Sequence, residues 1–150
     1  MLKPGDKAPA FVLVDQHGKK RSLGQFARRK LLLYFYPKAD TPGCTQQACL
    51  LRAVMDDVGK TAIVGVSPDT PARQLAFDSK HDLGFPLLSD DDHKVARAYK
   101  VWKKKSMYGR QYMGIERSAF LIDGNGRILH AWYKISPKDT VKLFMEALNA

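Results

Sequence analysis

The sequence predicts an α/β fold in which a mixed β-sheet is covered by helices on both faces. Two apolar runs, residues 31–36 and 61–66, flank a helical segment, and two later strands flank a glycine turn before a last helix. A strand–helix–strand unit implies parallel strands, whereas a hairpin adds antiparallel ones. We therefore expect residues 1–150 to form a single domain, a three-layer sandwich.

The first thirty residues predict an N-terminal extension built around a β-hairpin. Residues 10–14 form a short apolar run, Asp15-Gln16-His17-Gly18 is a turn signal, and residues 20–23 can return as a second strand. One helical turn is expected over residues 23–29. None of these residues suggests a catalytic role.

A strong helix start follows residues 31–36 and carries the first of two cysteines. Thr41 is a favourable N-cap, and Pro42 occupies the first helical position, where its missing N–H costs nothing. Cys44 then lies in the first turn, where unpaired N–H groups and the helix dipole favour the nucleophilic thiolate. A buried structural cysteine is the alternative. We expect this helix to extend to about residue 58.

The second cysteine lies five residues further along the same predicted helix. On an ideal helix the Cα atoms of Cys44 and Cys49 are about 8–9 Å apart. A disulfide needs about 4.4–6.8 Å. The two thiols are therefore either independent, or they pair only after a turn of the helix unwinds. Their spacing is neither the C-x-x-C of a thiol–disulfide exchanger nor a zinc motif.

The rest of the chain predicts further helices and strands around one long loop. Thr70 and Ser136 are N-caps, each followed by a proline at the first helical position. Asp123-Gly124-Asn125-Gly126 is a hairpin turn. The expected helices cover residues 71–82, 92–99 and 137 onward, the strands cover 85–88, 118–122 and 127–133, and the surface loop covers 100–115.

An acidic cluster, Asp90-Asp91-Asp92-His93, has side chains that can ligate metals. Its position before a predicted helix favours a different role, because carboxylates stabilise the positive end of a helix dipole. We expect no metal site here.

Composition and charge limit the classes of protein to which this chain can belong. With 45% hydrophobic and 27% charged residues, the chain is ordinary for a globular protein. No run approaches the roughly 20 apolar residues that cross a membrane, and no signal-peptide pattern is evident. Two cysteines do not make a secreted disulfide framework. We expect a cytoplasmic protein that binds no membrane.

The formal net charge of +10 raises the possibility of a nucleic-acid partner. The basic clusters are short and scattered, at residues 19–21, 28–30 and 103–105, and no nucleic-acid motif accompanies them. A solvated basic surface without nucleic acid is expected, and its charge can attract an acidic redox partner.

Pro37, Thr41 and Cys44 form P-x-x-x-T-x-x-C, and the string YPKADTPGCTQQAC around them resembles the active site of peroxiredoxins. The resemblance is to the bacterioferritin comigratory, or Q-type, subfamily. It extends along the chain in the strings GDKAPAF (5–11), VGVSPD (64–69), FPLLSD (85–90) and ERSAFLID (116–123). It implies a thioredoxin-like version of the predicted sandwich.

The resemblance also implies a set of catalytic roles. Cys44 would attack a hydroperoxide and become a sulfenic acid. Thr41 would orient the peroxide, N–H groups around Gly43 would bind its oxygens, and Arg117 would contact thiolate and substrate. Pro37 would shield the sulfur. Without the resemblance, Thr41 could be only a helix cap, Arg117 only a surface charge and Pro37 only a strand stop.

Cys49 occupies the position of the resolving cysteine of many Q-type members. It would form an intramolecular disulfide with Cys44, which thioredoxin or a similar dithiol would reduce. A buried bystander is the alternative for Cys49. No bound cofactor is implied, and relatives suggest a monomer. A thiol–disulfide oxidoreductase and a basic, non-enzymatic binding module remain the rival functions.

Overall fold

A mixed sheet of seven strands runs through the protein, and the computed structural model describes residues 1–149. The strands are β1 (Val12–Val14), β2 (Lys20–Ser22), β3 (Leu31–Phe35), β4 (Ala62–Ser67), β5 (Leu87–Ser89), β6 (Trp102–Met107), β7 (Arg110–Ile115), β8 (Ser118–Ile122) and β9 (Ile128–Trp132). The helices are α1 (Pro42–Ala53), α2 (Pro71–His81), α3 (Lys94–Ala98) and α4 (Pro137–Leu148). Short 3₁₀ turns cover Leu23–Phe26 and Met55–Asp57.

The strand order of the main sheet is β2-β1-β5-β4-β3-β8-β9. Strands β3, β4 and β5 are parallel neighbours, whereas β8 runs antiparallel to both β3 and β9. Strands β1 and β2 form the antiparallel N-terminal hairpin. The predicted mixed sheet with a βαβ unit and an N-terminal hairpin is therefore confirmed.

Strand β3 is buried on both faces and separates two hydrophobic cores. Leu31, Leu33 and Phe35 belong to one core, while Leu32 and Tyr34 belong to the other. Successive side chains of a strand point to opposite faces, so an unbroken apolar run is what two cores require. Helices α1, α2 and α4 supply the second core, and α3 packs on the first, which gives the three layers.

Helix α1 ends at Ala53 and not near residue 58. A 3₁₀ turn follows, and its Asp56 and Asp57 are acidic residues that the negative end of a helix disfavours. Val58 is nevertheless buried in the second core, so the change of backbone geometry after Ala53 does not expose this apolar side chain.

The loop expected over residues 100–115 is wrong, because this segment forms the antiparallel β6–β7 hairpin, a two-stranded sheet of its own. Its turn has positive φ at Tyr108 (51°) and Gly109 (77°), as a two-residue hairpin turn requires. Tyr108, at this turn, is 99% exposed. Exposed strands lack the apolar alternation that would reveal them.

The acidic cluster caps a helix. The buried Asp90 carboxylate accepts hydrogen bonds from the N–H groups of Val95 (3.1 Å) and Ala96 (2.8 Å) at the start of α3. Burial raises the pKa of Asp90, and these bonds oppose the rise. Within residues 1–149, no group of three metal-ligating side chains could hold an ion. Over the same residues, no helix is long and apolar enough to cross a membrane.

The Asp15 carboxylate holds the turn between β1 and β2, and its lowered pKa makes the stability of the protein depend on pH. Its carboxylate, 1% exposed, accepts from the N–H groups of His17 (2.8 Å) and Lys19 (3.0 Å) and from Arg21 Nε (2.9 Å). Burial alone would raise its pKa, but the bonds from Arg21, Lys19 and His17 together hold the pKa below its usual 3.8. The stabilisation is complete above pH 3.8 and is lost as the pH falls through the lower, folded-state pKa.

We expect Asp15→Asn to lower the free energy of unfolding by about 1–3 kcal/mol at neutral pH, since charged acceptors form the stronger bonds. The deficit should shrink toward zero well below pH 3.8. Urea unfolding at neutral pH and at a pH well below 3.8 measures this deficit. Asp56→Asn, on the exposed surface, is the control. A deficit that stays constant with pH would contradict this assignment.

Candidate active site

Cys44 lies in the first turn of α1, which begins just beyond the carboxyl end of β3. It is 2% exposed and packs in the core beneath α1. Pro42 occupies the predicted first helical position. The first N–H groups of the helix and its positive end therefore lie at the thiol.

Thr41 begins the helix with its backbone only. It has the extended conformation of an N-cap, and its carbonyl accepts from Thr45 N–H at 2.8 Å. The expected side-chain cap is wrong, because the Thr41 hydroxyl donates to the Lys38 carbonyl at 2.8 Å. The N–H groups of Gly43 and Cys44 consequently receive no cap from this side chain.

A buried polar cluster holds the loop between β3 and α1. Ala39 N–H donates to the Asp69 carboxylate (2.7 Å), which also accepts from the Ser67 hydroxyl (2.7 Å). Gln74 Nε2 donates in turn to Ser67 Oγ (2.8 Å), and its Oε1 accepts from the Tyr36 hydroxyl. These bonds fix the loop from below, so the start of α1 has a defined place.

The outer side of that loop is tied to α2. Asp40 has a positive φ of 60° and contacts Lys80 (3.0 Å) and His81 (3.2 Å). The hydrogen bond from Lys80, followed by that from His81, holds the pKa of Asp40 below its usual value. Pro37 is half-buried at the head of this loop. Its shielding role remains a prediction.

Arg117 is the side chain that joins the thiol to the rest of the site. Its Nη2 donates to Cys44 Sγ at 3.6 Å, and its Nη1 donates to Gln47 Oε1 at 2.6 Å. Gln47 Nε2 donates to Thr140 Oγ1 at 2.8 Å, and the Thr140 hydroxyl donates to the Ser136 carbonyl at 3.0 Å. Gln47 and Thr140 are fully buried, so this chain of bonds orients the guanidinium.

Gly43 makes room for the guanidinium. A Cβ at this position would lie 3.1 Å from Arg117 Nη2 and 3.7 Å from Pro137 Cγ. A side chain would therefore push Arg117 away from Cys44. The structure thus brings Cys44, Gly43 and Arg117 together.

The β6–β7 hairpin forms one side of the site. Lys105 and Tyr112 line an open depression together with Arg117 and Lys134. Burial, and next the neighbouring Arg117, lower the pKa of Lys105, while Cys44 and Glu116 oppose the shift. A second cation therefore lies near the thiol.

Sequence reasoning gave no role to Gln47, Thr140 or Lys105. Gln47 and Thr140 are 93 residues apart and meet only through the packing of α1 against α4. A buried glutamine on the apolar face of α1 was the available signal, because a buried amide needs partners. No such signal distinguishes Lys105, since it belongs to a run of three lysines.

Cys49 is exposed, and both cysteines are free thiols. Its exposure contradicts the alternative of a buried bystander. Helix α1 runs unbroken through both positions, which leaves the Cα atoms about 8–9 Å apart on helical geometry. A disulfide between them therefore requires part of α1 to unwind.

The family model described as "AhpC/TSA family" matches residues 4–131. Peroxiredoxin Bcp of Bacillus subtilis (strain 168) is 44% identical over 150 residues, covering 99% of this chain and 96% of that protein. Peroxiredoxin Bcp of Escherichia coli (strain K12) is 48% identical over 133 residues, covering 87% and 85%.

Solved structures agree with the sequence relatives. The bacterioferritin comigratory protein of Xanthomonas campestris superposes with a TM-score of 0.88 at 34% identity, covering 99% of this chain and 96% of that one. Peroxidoxin BcpB of Mycobacterium tuberculosis gives a TM-score of 0.86 at 31% identity, covering 99% and 97%. The thioredoxin-like sandwich is thereby confirmed, and the chain belongs to the AhpC/TSA family, within it to the Bcp, or Q-type, peroxiredoxins.

Proposed function

We propose that Cys44 is the residue through which this peroxiredoxin, a thiol-dependent peroxidase, reduces its hydroperoxide substrates. The observation that carries the proposal is the 3.6 Å contact between Arg117 Nη2 and the sulfur of Cys44 at the start of α1. A cation and a helix N-terminus both favour the thiolate, which is the attacking form.

The first step is attack of the Cys44 thiolate on one oxygen of the peroxide bond. An S–O bond forms, the O–O bond breaks, and the leaving oxygen takes a proton to become water or an alcohol. The N–H groups of Gly43 and Cys44, which Thr41 leaves uncapped, can hold the peroxide oxygens. Arg117 stabilises the charge that develops on the leaving oxygen. The Thr41 hydroxyl would turn from Lys38 to orient the substrate.

The second step joins the two cysteines. The thiol of Cys49 displaces the hydroxyl of the sulfenic acid, a disulfide forms and water leaves. The exposure of Cys49 suits this role, because unwinding of α1 then moves the thiol without emptying the core. A dithiol such as thioredoxin returns both sulfurs to thiols and becomes a disulfide itself. The sulfur carries the electrons, so no bound cofactor is needed.

The substrate and setting follow from the same features. The open depression beside Arg117 can admit an organic hydroperoxide as well as hydrogen peroxide. Alkyl peroxide reduction is the activity ascribed to the Xanthomonas campestris protein. Two free thiols suit the reducing cytoplasm. A monomer is proposed, and the mass of the native protein tests it.

The two-cysteine cycle predicts distinct mass changes after one equivalent of hydrogen peroxide. Wild type should lose two hydrogens as the disulfide forms. Cys49→Ser should gain one oxygen, because its sulfenic acid has no partner, and Cys44→Ser should not react. Intact-mass spectrometry with a thiol-blocking reagent present measures all three.

Other mass patterns would contradict parts of this cycle. An added oxygen in wild type without a disulfide would leave Cys44 as the reacting residue and remove Cys49 from the cycle. Equally slow reaction of wild type and Cys44→Ser would exclude Cys44 as the attacking residue.

Arg117→Met should slow oxidation of Cys44 by about 10²-fold, the usual cost of losing one donor to a developing oxyanion. Arg117→Lys keeps the charge but not the fork of donors that contacts both Cys44 and Gln47, so it should recover only part of the rate. Stopped-flow kinetics with hydrogen peroxide measures the rate. Arg127→Met, on the exposed β8–β9 turn, is the matched control, and an equal loss in that variant would refute the assignment.

Thr140→Val should lower the free energy of unfolding by about 1–3 kcal/mol, because it leaves the buried Gln47 amide without its acceptor. It should also slow Cys44 oxidation, since Gln47 no longer orients Arg117. Thr140→Ser keeps the hydroxyl and should restore the rate. Unfolding in urea and peroxide kinetics give the two readouts, and failure of serine to rescue the rate would refute the positioning role.

A further inference from the structure

The tip of the β6–β7 hairpin concentrates apolar side chains that face solvent. Tyr108 is 99% exposed, Met107 55%, Met113 47% and Tyr112 43%. Within residues 1–149, these four are the majority of the large hydrophobic side chains at this level of exposure, and the others are Met1, Val12 and Leu75. Because the two strands pair only with each other, these side chains have no layer above them. In the register of the hairpin, Met107 and Tyr112 lie on one face and Met113 on the other. Exposed apolar side chains gathered on one element in this way mark an interaction site.

The same hairpin is strongly basic. Residues 100–115 contain four lysines and one arginine and no acidic residue. In the part of the chain that the structure describes, the salt bridges use Arg21, Arg73, Lys80 and His81, and so none lies on the hairpin. Its charge is therefore available to a partner, which must be acidic.

The hairpin is continuous with the site of chemistry. Strand β7 ends at Ile115, two residues before Arg117, and Lys105 and Tyr112 line the same depression as Arg117. A protein seated on the hairpin is thereby placed beside Arg117, whose guanidinium contacts Cys44. That position suits a partner that reacts with the Cys44–Cys49 disulfide.

We propose that the β6–β7 hairpin is the docking surface for the protein dithiol that reduces this enzyme, and that this reductant presents an acidic surface. Methionine, tyrosine and arginine are residues enriched at protein interfaces, while a charged surround steers encounter. The inference rests on the proposed function, because it requires the Cys44–Cys49 disulfide.

The chemistry at the docked complex is thiol–disulfide exchange. A reductant thiolate attacks one sulfur of the disulfide, and the other sulfur leaves as a thiolate. The second reductant thiol then breaks the mixed disulfide. Two electrons pass to the enzyme, both of its cysteines become thiols, and the reductant ends as a disulfide.

The test compares a hairpin-tip variant, Met107→Ser/Tyr108→Ser/Arg110→Glu, with a matched variant of the β1–β2 hairpin, Val12→Ser/Lys19→Glu. All five positions are exposed, and none lies in the site described above. Three rates are measured for each: disulfide formation by hydrogen peroxide, reduction by dithiothreitol, and reduction by a bacterial thioredoxin of net negative charge.

The tip variant should retain the first two rates and lose about tenfold in kcat/KM for thioredoxin, the lower end of electrostatic steering effects. In wild type that rate should fall as salt increases, and the tip variant should lose part of this dependence. The β1–β2 variant should behave as wild type. Dithiothreitol is uncharged and needs no docking surface, so it controls for the state of the disulfide.

Three outcomes overturn the docking proposal while disulfide formation stays intact: an unchanged thioredoxin rate in the tip variant, an equal loss in the β1–β2 variant, or an equal loss with dithiothreitol. The proposal would also be overturned if wild type bound anionic vesicles or an oligonucleotide and the tip variant did not, while the two proteins reacted with thioredoxin at the same rate. Failure of the proposed function is distinguishable, because wild type would then form no disulfide with peroxide, and both proposals would be lost.

Discussion

The contact between Arg117 and the sulfur of Cys44 depends on the pairing of two strands. In the antiparallel register of β3 and β8, Phe35 lies opposite Ser118, so Arg117 sits at the edge of the sheet where β3 ends and α1 soon begins. A cation is thereby set against the first turn of a helix that already favours negative charge. The buried hydrogen bonds around the site hold one or the other of these two partners in place.

Two buried pairs of polar residues provide that support. Gln47 and Thr140 orient the guanidinium through the contact of α1 with α4, while Asp69 and Ser67 hold the loop before α1. Such groups must be satisfied when buried, which makes the arrangement specific. The same bonds oppose the unwinding of α1 that a disulfide requires. The reduced state is therefore stabilised by the helix that the proposed disulfide would have to open, and the exposed position of Cys49 limits that cost.

The hairpin of β6 and β7 contrasts with the rest of the molecule. The main sheet has two covered faces, whereas this small sheet exposes aromatic, methionine and basic side chains and borders the depression beside Arg117. Its base contributes Lys105 to the electrostatics of the site, and its tip extends into solvent. One element thus borders the depression beside Arg117 and carries the surface we assign to the reductant.

The sequence by itself determined the mixed sheet, the βαβ unit, the start of α1 at Pro42 and the place of Cys44 in the first turn. These follow from local signals, namely an unbroken apolar run, a proline after a cap position and a glycine turn, each of which acts within a few residues. Arg117 could be named only through resemblance to a family, because nothing local distinguishes it from other arginines.

The tertiary structure alone decided the Thr41 bond to Lys38, the Gln47–Thr140 pair, the approach of Lys105 and the hairpin at residues 102–115. The Gln47–Thr140 pair and the approach of Lys105 to the site each join elements far apart along the chain, whereas the Thr41 bond to Lys38 is local. The hairpin has no buried face to leave a periodic pattern. A helix or strand with a buried face needs a periodic pattern of apolar residues, which can be recognised in the sequence. Polar contacts between distant elements and solvent-exposed strands produce no such pattern.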